Sequence, residues 1–115
     1  MKRIEKPWGR EEILEINDLY LVKKLTMRQG HRCSLQYHRV KRETLFVLSG
    51  RLRVDWGPAA ERLESRVLEP GDDLTLVPGV VHRMEAVTES VYLEASTPEL
   101  DDVVRLVDDY QRAAP

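Results

Sequence analysis

The chain is 115 residues long, 42% hydrophobic and 33% charged, with 18 basic and 20 acidic residues and a formal charge of −2. That is enough for one domain around one core, burying about two-thirds of its unfolded surface, and the interspersed charges lack the concentrated basic face that nucleic acid or an anionic membrane requires. The single cysteine, Cys33, excludes an internal disulfide and a thiolate metal cluster and is expected as a small buried apolar residue.

The opening stretch, MKRIEKPWGREE, carries no apolar signal segment, and no run in the chain approaches the ~20 apolar residues of a membrane span, so a cytoplasmic protein is expected. Residues 1–10 read as an arm that bends at Pro7-Trp8-Gly9 and needs an apolar surface for Trp8 to lie on. Glu12 to Ile16 predicts a short strand, Asn17-Asp18 a turn, and Leu19 to Met27 a longer strand whose apolar face is interrupted by Lys23. Such a lysine either snorkels to a rim or reaches a substrate.

Gln29-Gly30 leads into a strand from Cys33 to His38. A basic turn, Arg39-Val40-Lys41-Arg42, precedes a strand from Glu43 to Leu48, and Ser49-Gly50 predicts a tight hairpin to Leu52 to Trp56. Gly57 to Ala60 reads as a turn, followed by strands over Arg62 to Leu68, Leu74 to Val77, Val81 to Val87 and Val91 to Ala95. The barrel so predicted runs over residues 11–96. Residues 97–115 read as a C-terminal arm or short helix, from the cap signal at Ser96-Thr97-Pro98-Glu99 and the apolar Val103, Val104, Leu106 and Val107. About nine or ten short strands without an internal helix favour a sandwich or closed barrel.

Within this pattern the stretch Gly30 to Gly50 concentrates polar groups where a core is expected. Residues two apart on a strand share a face, so Gln36 and His38 project together. Glu43 opens the next strand and can meet them. His82 follows the Pro78-Gly79 turn and supplies a fourth donor. Two imidazoles, a carboxylate and an amide oxygen form a mixed nitrogen and oxygen shell suited to one divalent Zn, Mn, Fe or Co ion, with Zn or Mn favoured.

Gly30, Gln36, His38, Glu43 and Gly50 fit the first cupin motif, G-x5-[HQ]-x-H-x4-E-x6-G, at every spacing, and Gly71, Gly79 and His82 fit the second. Within the cupins the chain resembles the isomerase domain of type II phosphomannose isomerases, through Lys6-Pro7-Trp8-Gly9, Val22-Lys23, Ser34-Leu35-Gln36 with His38, His82-Arg83 and Asp101-Asp102-Val103-Val104-Arg105. The resemblance implies an all-β, double-stranded β-helix (the cupin jelly-roll barrel) that holds one divalent metal on Gln36, His38, Glu43 and His82, in a homodimer. Departures from the family pattern are Val77 followed by Pro78, Ala86 where asparagine is frequent, Leu45 where an aromatic is common, and Lys41 in place of an arginine. Members also often carry a nucleotidyltransferase domain, which this chain has no room for, so nucleotide transfer is not expected.

Interconverting an aldose and a ketose phosphate moves a proton between C1 and C2 through an enediol. Glu94, His31 and Lys23 are the candidate proton-transfer groups, Glu94 first. Cationic donors for the phosphate of a sugar-phosphate partner are expected from Arg32, Lys41 and Arg42. Arg83 is a further candidate, although alternation from His82 turns it to the opposite face, and Ser34 joins them from the stretch that carries the resemblance. The expected function is a metal-dependent isomerase acting on mannose 6-phosphate and fructose 6-phosphate. The alternatives are a non-catalytic sugar-binding or regulatory cupin, and an Fe(II) dioxygenase, for which Gln36 stands where a third histidine is usual.

Overall fold

A computed structural model describes residues 1–111 of the chain. Eleven strands follow one another: β1 (Lys2–Lys6), β2 (Gly9–Ile16), β3 (Leu21–Met27), β4 (Leu35–Tyr37), β5 (Glu43–Ser49), β6 (Leu52–Ala59), β7 (Arg62–Leu68), β8 (Asp73–Leu76), β9 (Val81–Ala86), β10 (Ser90–Ser96) and β11 (Val104–Val107). They build a six-stranded sheet in the order β1-β2-β3-β10-β5-β8 and a five-stranded sheet in the order β11-β4-β9-β6-β7. Every pairing is antiparallel. The two sheets make an all-β jelly-roll barrel, and no helix among the described residues is long and apolar enough to cross a membrane.

The core lies between the sheets, where alternate residues of each strand point inward. Leu25, Met27, Leu45, Val47 and Tyr92 from the first sheet meet Leu52, Val54, Leu68, Met84 and Ala86 from the second. Trp8 caps this cluster and is almost fully buried, the docking its sequence context requires.

Four expectations are corrected or narrowed. The N-terminal arm is a strand: β1 pairs with β2 from Lys2↔Ile13 to Lys6↔Gly9, which hides its backbone polar groups in a ladder. Of the arm or short helix expected at the C-terminus, the described residues form the arm: they add β11 to β4, with Val104, Leu106 and Val107 on that edge strand. Residues 112–115 of that expected arm lie outside the described residues.

The third concerns Gly50. Instead of closing a hairpin, it carries the chain from β5 in one sheet to β6 in the other. Its φ of 82° is a left-handed conformation, and an added Cβ would sit 2.1 Å from the Glu89 carbonyl oxygen. Only glycine fits there. Likewise Gly57 to Ala60 is not wholly a turn, because β6 continues to Ala59 past an irregularity after Trp56. A Cβ on Gly57 would lie 1.9 Å from the Arg62 carbonyl oxygen, so the strands approach closely there.

Candidate metal centre and cavity

Three strand starts and ends converge on one point. His38 follows β4 directly, Glu43 opens β5, and His82 is the second residue of β9. Gln36 lies opposite His82 across the β4–β9 pair. The two loops that carry the histidines are joined through backbone, since Gly79 N–H donates to the His38 carbonyl at 2.8 Å.

The geometry at that point is specific. Glu43 Oε1 lies 3.1 Å from His38 Nε2 and 3.2 Å from His82 Nε2, and the three ligand atoms fall within 4.8 Å of one another. All three residues are buried. Each imidazole spends its other nitrogen on a backbone carbonyl: His82 Nδ1–H donates to Val80 at 2.9 Å, and His38 Nδ1–H donates to Asp102. Both Nε2 atoms are therefore left to face the carboxylate.

This arrangement fits a divalent cation better than a proton network. Among the described residues His82 Nε2 is buried without a hydrogen bond of good geometry, despite its short distance to Glu43. Separations near 3 Å match the edge between two ligands at right angles with bonds of about 2.1 Å. With each Nδ1–H given to a backbone carbonyl, the Nε2 lone pairs of both rings are turned toward the Glu43 oxygen, and a cation between these three atoms satisfies all of them at once. Carbonyl-bound Nδ1–H groups are also the usual outer support of metal-binding histidines.

Burial opposes the charge on Glu43, yet His38, His82 and Lys41 outweigh it and hold the carboxyl far below the usual range. Lys41 Nζ stands 3.8 Å from Glu43 Oε2, on the side away from the histidines. Gln36 lines the same space, and its Oε1 accepts the Ser34 hydroxyl at 2.6 Å. The oxygen keeps a second lone pair that can serve a ligand role.

The cluster opens into a cavity of about 460 Å³ between the sheets, within the ~300–1,000 Å³ common for small-molecule sites. Glu94, Lys23 and Glu11 stand on its wall. Glu94 and Lys23 are directly opposed on β10 and β3, and Lys23 Nζ donates to Glu11 Oε1 at 3.3 Å. Lys23 is thus buried and paired, not stretched to a rim. Burial and the nearby Glu43 charge raise the Glu94 carboxyl to about 7, against the opposing pull of Lys23 and Lys41. Tyr92, fully buried, also lines the cavity, and its hydroxyl has no hydrogen-bond partner among the described residues.

Four of the basic candidates are placed elsewhere. His31 Nδ1 pairs with the Tyr110 hydroxyl at 2.7 Å, and Arg32 grips Asp109 at 2.6 and 2.9 Å. Arg83 Nε donates to the Cys33 carbonyl and its terminal nitrogen to that of Val107. All three fasten the C-terminal segment to the barrel. Arg42 lies beside a separate shallow depression with Thr44 and Thr97. Ser34 is fully buried and reaches the cavity through Gln36 alone.

The sequence reading missed Glu11, Tyr92 and Arg105, which line the cavity. Glu11 lies two residues before the buried Ile13 on β2 and so shares its inward face, a signal that was available. Cys33 is buried, as expected, and burial pushes its thiol up to about 12. Leu45 and Ala86, two of the departures from the family pattern, belong to the core cluster and not to the cavity wall.

Residues 1–108 match the family model described as "Mannose-6-phosphate isomerase C-terminal". Among curated proteins, the chain is 29% identical over 122 residues to the xanthan biosynthesis protein XanB of Xanthomonas campestris, covering 96% of this chain and 24% of the relative. It is 27% identical over 121 residues to the mannose-1-phosphate guanylyltransferase ManC of Salmonella typhimurium, covering 96% of this chain and 23% of the relative. The chain therefore spans about a quarter of the length of these relatives. Among solved structures, an RmlC-like cupin from Shewanella frigidimarina superposes with a TM-score of 0.75 at 19% identity, covering 87% of this chain and 86% of that one.

Proposed function

This chain belongs to the mannose-6-phosphate isomerase C-terminal family, and from that membership and its cavity we propose a metal-dependent sugar-phosphate isomerase that interconverts mannose 6-phosphate and fructose 6-phosphate. The observation that carries the reading is a buried His38–Glu43–His82 cluster opening into a cavity whose wall holds a carboxyl raised to about 7.

His38, Glu43 and His82, with Gln36 beside them, are the residues that would hold the cation. A divalent ion there supplies Lewis-acid polarisation of the substrate's oxygens. Glu94 acts as the base that takes the proton from C2 or C1 and returns it to the neighbouring carbon. A carboxylate tuned near neutrality combines a useful ionised fraction with real basicity. Lys23, held by Glu11, faces Glu94 and stabilises its ionised form. The Tyr92 hydroxyl, kept protonated by burial, is free to donate to a substrate oxygen. Trp8 and Leu25 close the wall and limit water.

The same reading includes a cytoplasmic homodimer. Phe46 and Leu48 are 40% and 43% exposed on the outward face of β5, apolar surface of the kind a partner subunit covers.

A coupled assay on chelator-stripped protein, with Zn, Mn or Co added back, tests the reading. Metal-dependent turnover of either hexose phosphate is expected, and no turnover with any of the three ions would remove it. The binding-only alternative takes its support from departures such as Leu45 and Ala86, which lie in the core away from the cavity, so the site's composition favours the enzyme.

A further inference from the structure

The cavity mouth has a feature that neither the metal cluster nor the Glu94 wall uses. β1 is an edge strand of the six-stranded sheet and β11 an edge strand of the five-stranded sheet. Lys2 and Lys6 of β1 and Arg105 of β11 line the same cavity. Two strands from opposite ends of the chain thus bring cations to one opening.

Arg105 is the most telling of them. It is paired directly with Gln36 across β11 and β4, and Gln36 with His82 across β4 and β9. Cross-strand partners share a face, so Arg105, Gln36 and His82 form one inward row. Two interstrand steps of ~4.8 Å set Arg105 about 10 Å from His82. The Arg105 Nε is buried with no hydrogen-bond partner, and the residue makes no ion pair among the described residues. A buried guanidinium nitrogen left unpaired is costly, and a doubly charged phosphate ester is the partner its planar fork suits best. Asp101 also lines the cavity but is exposed to solvent.

We propose that Arg105, assisted by Lys2 and Lys6, forms a phosphate-monoester subsite at the β1–β11 mouth, which holds the far end of a sugar phosphate whose reacting end lies at the His38–Glu43–His82 cluster. The subsite rests on the sugar-phosphate reading above and replaces Arg32, Arg42 and Arg83 as its phosphate ligands. The six-carbon chain of an open hexose 6-phosphate bridges the interval between them.

The test measures equilibrium binding of fructose 6-phosphate, fructose and inorganic phosphate to the metal-loaded 115-residue chain by calorimetry, alongside turnover. Wild type is expected to bind fructose 6-phosphate far more tightly than fructose, with inorganic phosphate competing. Arg105→Gln should weaken fructose 6-phosphate about 10–100-fold, leave fructose unchanged, and abolish the competition, with metal content and melting temperature retained. Arg105→Lys should recover part of the loss. A Lys2→Gln, Lys6→Gln double variant gives an independent reading from the other strand and should weaken fructose 6-phosphate selectively as well. Equal losses for the phosphorylated and plain sugar, or no loss in either variant, would overturn the subsite. A chain that binds through Arg105 without turnover keeps the subsite and loses the isomerase reading; turnover with an unchanged KM in Arg105→Gln does the reverse.

Discussion

Asp102 holds His38 and the loop after it at the same time. Its backbone carbonyl accepts the His38 Nδ1–H, while its carboxylate accepts the N–H groups of Arg39, Val40 and Lys41 at 3.0, 2.8 and 2.8 Å. Those backbone donors hold the carboxyl down to about 2. The residue that orients the His38 imidazole therefore comes from the segment just before β11, more than sixty positions along the chain from it.

Asp102→Ala keeps the backbone carbonyl but releases the 39–41 loop, and should let that carbonyl drift from His38. Loss of such outer support typically lowers metal affinity 10–100-fold, and a metal titration should find a decrease in that range. Asp102→Asn, which also keeps one side-chain acceptor for the loop N–H groups, should lose less. Equal affinities in all three proteins would remove Asp102 from the centre.

The stability that Asp102 contributes has a definite sign with pH. Its folded carboxyl is depressed from 3.8 to about 2, so its contribution is present above pH ~4 and disappears as pH falls through about 2. Acid unfolding of wild type and Asp102→Asn should differ above pH ~4 and converge towards pH 2.

Glu94 runs in the opposite direction. Its carboxyl is raised from 4.5 to about 7, so its contribution to folding is fully present below about 4.5 and is lost as pH rises through about 7. In chelated protein, Glu94→Gln should remove that decline and be the more stable form above pH 7 by denaturant titration. The same variant should lower kcat by about 10²–10⁴-fold.

Lys23→Met should raise the Glu94 carboxyl further, since Lys23 is among the groups that pull it down. The acid limb of kcat/KM should then move to higher pH. Substitution of Glu11 should act through Lys23, shifting the limb without abolishing activity. A limb that stays in place in Lys23→Met would detach Glu94 from the proton transfer.

Gly50→Ala probes the barrel itself. The methyl would meet the Glu89 carbonyl at 2.1 Å in a left-handed backbone, and thermal or urea unfolding should report a loss of about 2 kcal/mol. Gly71→Ala meets nothing within 4 Å and should show backbone strain alone, with a smaller loss.

How much of this was legible in the sequence depends on range. The Gln36–His38–Glu43 spacing was readable because strand alternation is local, and His82 because a Pro-Gly turn announces it. Strands β3, β5, β7, β9 and β10 were placed to within a few residues for the same reason. Pairings between distant segments were not readable. Nothing near Gly50 says that β5 and β6 enter different sheets. Nothing near Arg32, His31 or Arg83 says that Asp109, Tyr110 and Val107 will lie over them. Basic residues near a metal motif suggested phosphate contacts, and the C-terminal segment took three of them for structure. Arg105 stood in plain view within Asp101 to Arg105, but its role depends on β11 pairing with β4.

An anomalous-scattering crystal structure of the Mn- or Zn-loaded protein tests the central claim most directly. The account predicts one peak per chain, about 2.0–2.2 Å from Nε2 of His38, Nε2 of His82 and Oε1 of Glu43, and no peak in a His82→Ala crystal grown the same way. A wild-type map with no density among those three atoms, or with the ion bound only at another place, would contradict it.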